Sequence, residues 1–161
     1  MIKLRATLES KEDVIRELVI DENLNLEELH KSITKNFQLN EFEIASFYKT
    51  DSDLNIGKEI SFFNTSETLG ESLVMNQVII STLLYSQETQ LIYVYDFLKM
   101  WRFHIQYVEK VNSIESTNLF SKGKIPSEAP KITFESGKEE EEFDPFRETF
   151  DDFDEFKDYE Y

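Results

Sequence analysis

At 161 residues and 19.1 kDa, the chain suits one domain and is short for two. Its 33 acids against 17 Lys and Arg give a net charge of −16, which argues against a nucleic-acid backbone or an anionic membrane as the main partner. The absence of cysteine excludes disulfides, thiolate zinc sites and thiol catalysis. No run approaches the roughly 18 apolar residues of a spanning helix, and Met1 leads into patterned sequence with no basic-then-apolar leader. A soluble, cytoplasmic protein is the expectation.

Ile2, Leu4, Ala6 and Leu8 alternate with Lys3, Arg5 and Thr7, the period of a half-buried strand. After the polar break at Ser10, Lys11, Glu12 and Asp13, the β-rich run Val14–Ile20 completes a predicted hairpin. Asn25 with Glu28 three residues on reads as a capping box, and Glu27 and Glu28 sit at the positive end of the helix dipole. Leu26, Leu29, Ile33 and Phe37 follow the 3–4 spacing of one apolar face, predicting a helix over residues 26–36.

Residues 42–48 alternate in a way that suggests a strand apolar on both sides. Residues 50–58 read as a turn, 59–63 as a short strand and 64–73 as irregular. For residues 78–84 the period leaves a short helix and a strand both open. Two long β-type runs follow, residues 90–97 and 101–111, joined by Leu98, Lys99 and Met100. In the second, Trp101, Phe103, Ile105 and Tyr107 share one face, and His104 lies on the other, where it is expected to be solvated. The aromatic cluster of Tyr93, Tyr95, Trp101, Phe103 and Tyr107 reads as core packing, with an exposed ligand platform as the alternative.

The fold class that results is α+β: an N-terminal hairpin and one main helix packed on a mostly antiparallel sheet, with a ββαβ opening compatible with a β-grasp arrangement. The expected core includes Leu4, Leu18, Leu29, Ile33, Phe37, Tyr95, Phe97 and Trp101. Gly123, Pro126, Pro130 and Gly137 punctuate the chain like a linker, so the domain is placed at residues 1–124 and a linker and tail at 125–161.

That tail is the most unusual segment. Residues 138–161 hold twelve acids against Lys138, Arg147 and Lys157, a net −9 that leaves −7 for the first 137 residues. Such composition predicts disorder. Phe143, Phe146, Phe150, Phe153 and Phe156 nevertheless recur every three or four residues, so most of them would line one face of a helix formed on binding. A solubilising end and a partner-binding segment are both consistent with this pattern.

Catalytic and ligand motifs are sparse. Asp51, Asp53 and Asn55 open like a calcium loop, but the positions needing Gly and a bidentate Glu hold Ile56 and Phe62. A hairpin turn explains them better. His30, at the edge of the helix's apolar stripe, reads as a boundary residue, and Glu28 two positions away does not share its face. There is no nucleophile elbow. The four glycines, Gly57, Gly70, Gly123 and Gly137, are too dispersed for a phosphate cradle, and four arginines make no basic patch. No enzyme chemistry and no cofactor or metal is expected.

Residues 24–33, preceded by Arg16, Glu17, Leu18, Val19 and Ile20, resemble the amino-terminal signature of the Ri-plasmid ORF-three-like family. Its second signature, a Tyr-Asp-Phe followed by a tryptophan strand, is matched by Tyr93, Val94, Tyr95, Asp96, Phe97 and Trp101. The resemblance covers about residues 1–125, and the tail is similar to that of one branch. It implies a protein of unknown function. Departures occur at Leu98 and Lys99 in place of a Gly-Asp, at Ile15 in place of a Trp, and at Phe103, with His104 one residue off a histidine position. A catalytic role for that histidine would not transfer. The leading expectation is a non-enzymatic interaction module whose acidic tail meets a basic or amphipathic protein. The alternative, from family naming, is a mobile-element DNA-processing, resolvase-like factor.

Overall fold

The computed structural model describes residues 1–64, 72–115 and 117–131. Strands β1 (Ile2–Leu8) and β2 (Val14–Ile20) form the predicted hairpin, with Leu4 opposite Leu18. Helix α1 (Leu26–Asn36) follows, then β3 (Ala45–Thr50), β4 (Ile56–Ser61), β5 (Leu73–Val74), β6 (Gln90–Tyr95), β7 (Trp101–Lys110) and β8 (Ser121–Lys122). They make one sheet in the order β5-β4-β3-β6-β7-β1-β2-β8, antiparallel except between β4 and β5.

The neighbour of β1 is therefore β7, running antiparallel, and β3 lies two strands further out. A β-grasp sheet sets its last strand parallel beside β1; here the strand beside β1 is antiparallel, so the opening order leads to a different sheet. The pairing that replaces it is long: β7 contacts β1 over seven registered pairs, with an irregularity between Lys3 and Leu4.

Alternation sorts the side chains. Ile2, Leu4, Ala6 and Leu8 of β1, Phe103 and Ile105 of β7, Leu91, Tyr93 and Tyr95 of β6, and Ala45 and Phe47 of β3 are all buried in one cluster with Leu26, Leu29, Ile33 and Phe37. The helix begins where expected: the Asn25 side chain accepts from the Glu28 N–H at 3.1 Å. A segment containing 3-10 turns at Met75–Gln77 and Ile80–Thr82 closes the core at the helix start, with the Leu26 N–H donating to Val78 O at 2.9 Å. This resolves residues 78–84 as neither a full helix nor a strand.

Three sequence expectations change. Residues 42–44 precede the strand, which begins at Ala45, and leave Phe42 81% and Ile44 51% exposed. Strand β4 starts at Ile56, inside the expected turn. Phe97, expected in the core, is 38% exposed because the chain turns at Asp96, whose φ of 57° ends strand alternation. Leu4, Leu18, Leu29, Ile33, Phe37, Tyr95 and Trp101 are buried as expected.

Candidate functional site

Both histidines are held by hydrogen bonds. His30 is completely buried, not a boundary residue: its Nδ1 lies 2.7 Å from the Tyr93 hydroxyl and its Nε2 is 2.8 Å from Glu41 O. A carbonyl can only accept, so Nε2 carries the proton. Burial lowers the imidazole pKa, and neutral Nδ1 then accepts from Tyr93, whose phenol burial raises well above its usual value. This bridge ties α1 to β6. His104 faces away from Trp101 as expected but is half-buried, with Nε2 2.7 Å from Gln90 Oε1 and its pKa lowered by burial.

The Asp51 carboxylate is consumed by its own turn, accepting from the Asp53 and Asn55 N–H groups at 2.9 and 3.0 Å and from Asn55 Nδ2 at 2.8 Å. Among the described residues, no group of three or more His, Asp or Glu is arranged to hold a metal. Of the aromatic cluster, Tyr93, Tyr95, Trp101 and Phe103 are core residues and Tyr107 is half-buried.

What sequence reasoning missed lies at one end of the sheet. The Tyr95 hydroxyl accepts from the Asn40 N–H and donates to Asn40 O, both at 3.0 Å, and burial raises its pKa so that the proton stays available. That fixes the loop carrying Phe42 and Ile44. The Asp96 N–H then donates to Ile44 O at 2.9 Å, joining this loop to the β6–β7 turn.

Asp96 builds that turn. Its carboxylate accepts from the Leu98 and Lys99 N–H groups at 3.1 and 3.3 Å, and its carbonyl accepts from Lys99 and Met100. Met100 closes it at a φ of 57°. The result holds Leu98 98% and Met100 50% exposed, on backbone with its donors satisfied. A signal was available: Leu98 and Met100 flank Lys99 directly after a Tyr-Asp-Phe whose Asp is a turn former.

Beside this turn lies a groove of about 620 Å³, walled by Leu98, Met100, Ala129 and Pro130. Lys99, Arg102 and Lys131 line it against the single acid Glu128. Arg102 Nε stands 3.1 Å from Glu9 Oε1 but off the N–H direction, so it lacks a hydrogen-bond acceptor despite the ion pair.

The far wall is positioned by Arg16. Its guanidinium donates to Lys122 O at 2.7 Å and Gly123 O at 2.8 Å, and sits 5.7 Å over the Phe37 ring. Gly123 has φ +82°, and an added Cβ would meet Asp13 O at 2.0 Å, so only glycine lets the chain pass the hairpin turn here. Upstream, Glu17 accepts from Arg5 at 2.8 Å and from the Phe120 N–H at 3.0 Å, holding the preceding segment to β2.

Phe143, Phe146, Phe150, Phe153 and Phe156, the sequence's candidates for partner binding, lie outside the described residues. No helix of the described residues is long and apolar enough to cross a membrane.

The family described as plasmid pRiA4b ORF-3-like protein matches residues 1–131. Among curated proteins, none matches this sequence. A crystal structure of a protein of unknown function, MM3350 from Methanosarcina mazei Go1, shares the fold with a TM-score of 0.55 at 14% identity, covering 76% of this chain and 62% of that one. The chain thus spans less than two thirds of that protein's length. Family and structural neighbour are both of unknown function. With the order of its two signatures and the match over residues 1–131, the chain belongs to the plasmid pRiA4b ORF-3-like family.

Proposed function

We propose that this chain is a non-enzymatic protein–protein interaction module, with residues 143–156 contacting a basic or amphipathic protein. The observation that carries the reading is the exposed apolar end of the sheet, where Leu98, Met100, Phe42 and Ile44 stand out on hydrogen-bonded loops. Apolar side chains held out on satisfied backbone are the form of a contact surface. The tail adds an acidic, aromatic segment in the same chain. Catalysis has little support: the two histidines are engaged with Tyr93, Glu41 O and Gln90.

The test compares affinity capture by the full chain with capture by a Phe146→Ser, Phe150→Ser, Phe153→Ser variant, which keeps every charge. Loss of the captured protein is expected. Undiminished capture removes the aromatic segment as the binding element. A duplex titration at low salt addresses the DNA-processing reading, which specific micromolar binding would favour.

A further inference from the structure

We infer that the groove between the β6–β7 turn and residues 128–131 is the intramolecular docking site of this chain's own segment 143–156. The inference rests on reading that segment as a recognition element, and it adds regulation: the segment is held on the body until a partner displaces it.

Three observations point to this occupant. The first is charge. In a chain of net −16, the groove's lining carries Lys99 and Lys131 against the single acid Glu128, with Arg102 paired to Glu9. Segment 143–156 carries six acids against Arg147.

The second is apolar chemistry. Leu98, Met100, Ala129 and Pro130 offer side-chain surface without long-range polar demands, and Met adapts its shape to aromatic rings. Phe146, Phe150 and Phe153 recur at a spacing that sets them on one side of a helical turn.

The third is tether length. Lys131 is both a groove residue and the point from which the chain continues, and eleven residues separate it from Phe143. Were those residues a random coil, their root-mean-square span would be about 20 Å. A short flexible tether supplies an effective concentration in the millimolar range. Contacts too weak to hold two molecules together therefore suffice within one chain. An external acidic peptide, or the tail of a second copy, lacks this advantage at ordinary concentrations.

Docking has a consequence for partners. A segment bound to its own body nine-tenths of the time binds a partner about tenfold more weakly than the free segment. Disabling the groove should strengthen partner capture rather than abolish it.

The chain has no cysteine, so a Thr149→Cys substitution in the full chain takes one nitroxide label cleanly. The expected result is at least twofold greater paramagnetic broadening of the Leu98, Lys99, Met100 and Arg102 amides than of Asp53 and Asn55, at the opposite end of β3. Raising salt to 1 M should erase the difference, as the Debye length shrinks to about 3 Å. So should a Leu98→Glu, Met100→Glu pair, whose exposed positions leave the fold intact. Equal broadening at both ends overturns the proposal, and so does a difference that persists at 1 M salt and in the Glu pair, since the tether at Lys131 alone would give it. So does broadening seen only when labelled chains are mixed with isotope-enriched, unlabelled ones, which assigns the groove to a second copy's tail. The outcome is independent of the capture assay: capture lost in the Phe→Ser variant with no selective broadening leaves the module standing and this docking refuted.

Discussion

Strands β6 and β7 carry apolar side chains into two very different surroundings. Midway, Tyr93 and Phe103 pack with ring centroids 5.7 Å apart, Phe37 at the C-terminal cap of the helix meets Phe103 at 4.7 Å, and Phe47 of β3 meets Tyr93 at 4.8 Å. All four rings are sealed from solvent. At the end of the same strands, Leu98 and Met100 stand in the open on a turn built by Asp96. Hydrophobicity does not separate the two groups. The difference is a covering layer, since α1 lies over the first and no described residue buries the second. A residue in the first region therefore contributes to stability, and one in the second is free to contribute to binding.

The largest effect should come from breaking the covered region. Phe47→Ala or Phe103→Ala removes a fully buried ring from a tight cluster, and a loss of about 3–5 kcal/mol is expected. Urea unfolding followed by fluorescence of Trp101, the single tryptophan, measures it.

Next in size is the polar bridge within that core. His30→Ala leaves the Tyr93 hydroxyl and Glu41 O without their partner, at a cost of about 2–4 kcal/mol from cavity and lost hydrogen bonds together. The bridge also has a pH signature. Burial lowers the His30 and His104 pKa values, so the unfolded chain binds protons at a higher pH than the folded one. Their contribution is fully present above the unfolded value of 6.5, and is lost as pH falls from there through the lowered folded values. Unfolding midpoints measured from pH 7.5 down to 5 should decline, and the His30→Ala variant should decline less. An unchanged slope in that variant would assign the bridge no proton linkage.

A smaller effect is expected at Glu17, which joins the covered sheet to the segment leading toward the groove. Burial opposes its ionisation, but Arg5, the Phe120 N–H and Lys3 outweigh it and hold the carboxyl below its usual range. Glu17→Gln should lose about 1–3 kcal/mol, because a charge-assisted acceptor is replaced by a neutral one. The carboxylate's contribution is present above the unfolded pKa of 4.5 and is lost as pH falls through the lowered folded value. Amide hydrogen exchange should localise the loosening to residues 117–122.

Much of this was legible from alternation and capping. Ile2, Leu4, Ala6 and Leu8 announce their strand, and Asn25 with Glu28 marks the helix start that the structure confirms by a 3.1 Å hydrogen bond. The family signatures around residues 24–33 and 93–101 were legible too. The pairing of β1 with β7 was not, because contacts separated by about a hundred residues leave no local periodicity. His30 was misread for a similar reason: its burial depends on Tyr93 and Glu41, which the helix pattern does not contain. Phe97 and Phe42 were misread because apolar alternation continues past the point where Asp96 and Asn40 turn the backbone. The groove was invisible for the same reason, since its walls come from two segments about thirty residues apart.

The smallest effect is expected where the comparison predicts none. Leu98→Asp with Met100→Asp alters two exposed side chains whose turn is held by the Asp96 carboxylate and by backbone groups, none of which either substitution removes. Met100 at a φ of 57° makes Asp an acceptable replacement, since Asp and Asn tolerate this region better than most residues. The unfolding free energy should therefore stay within about 0.5 kcal/mol of the parent. Trp101 is the neighbour that tests this most closely, being 6% exposed and next in sequence to Met100. If Leu98 and Met100 shielded the core, the doubly substituted chain would unfold at lower urea and its tryptophan emission would shift to the red in the native state. A native emission maximum and urea midpoint matching the parent would instead show that these two side chains do nothing for the fold.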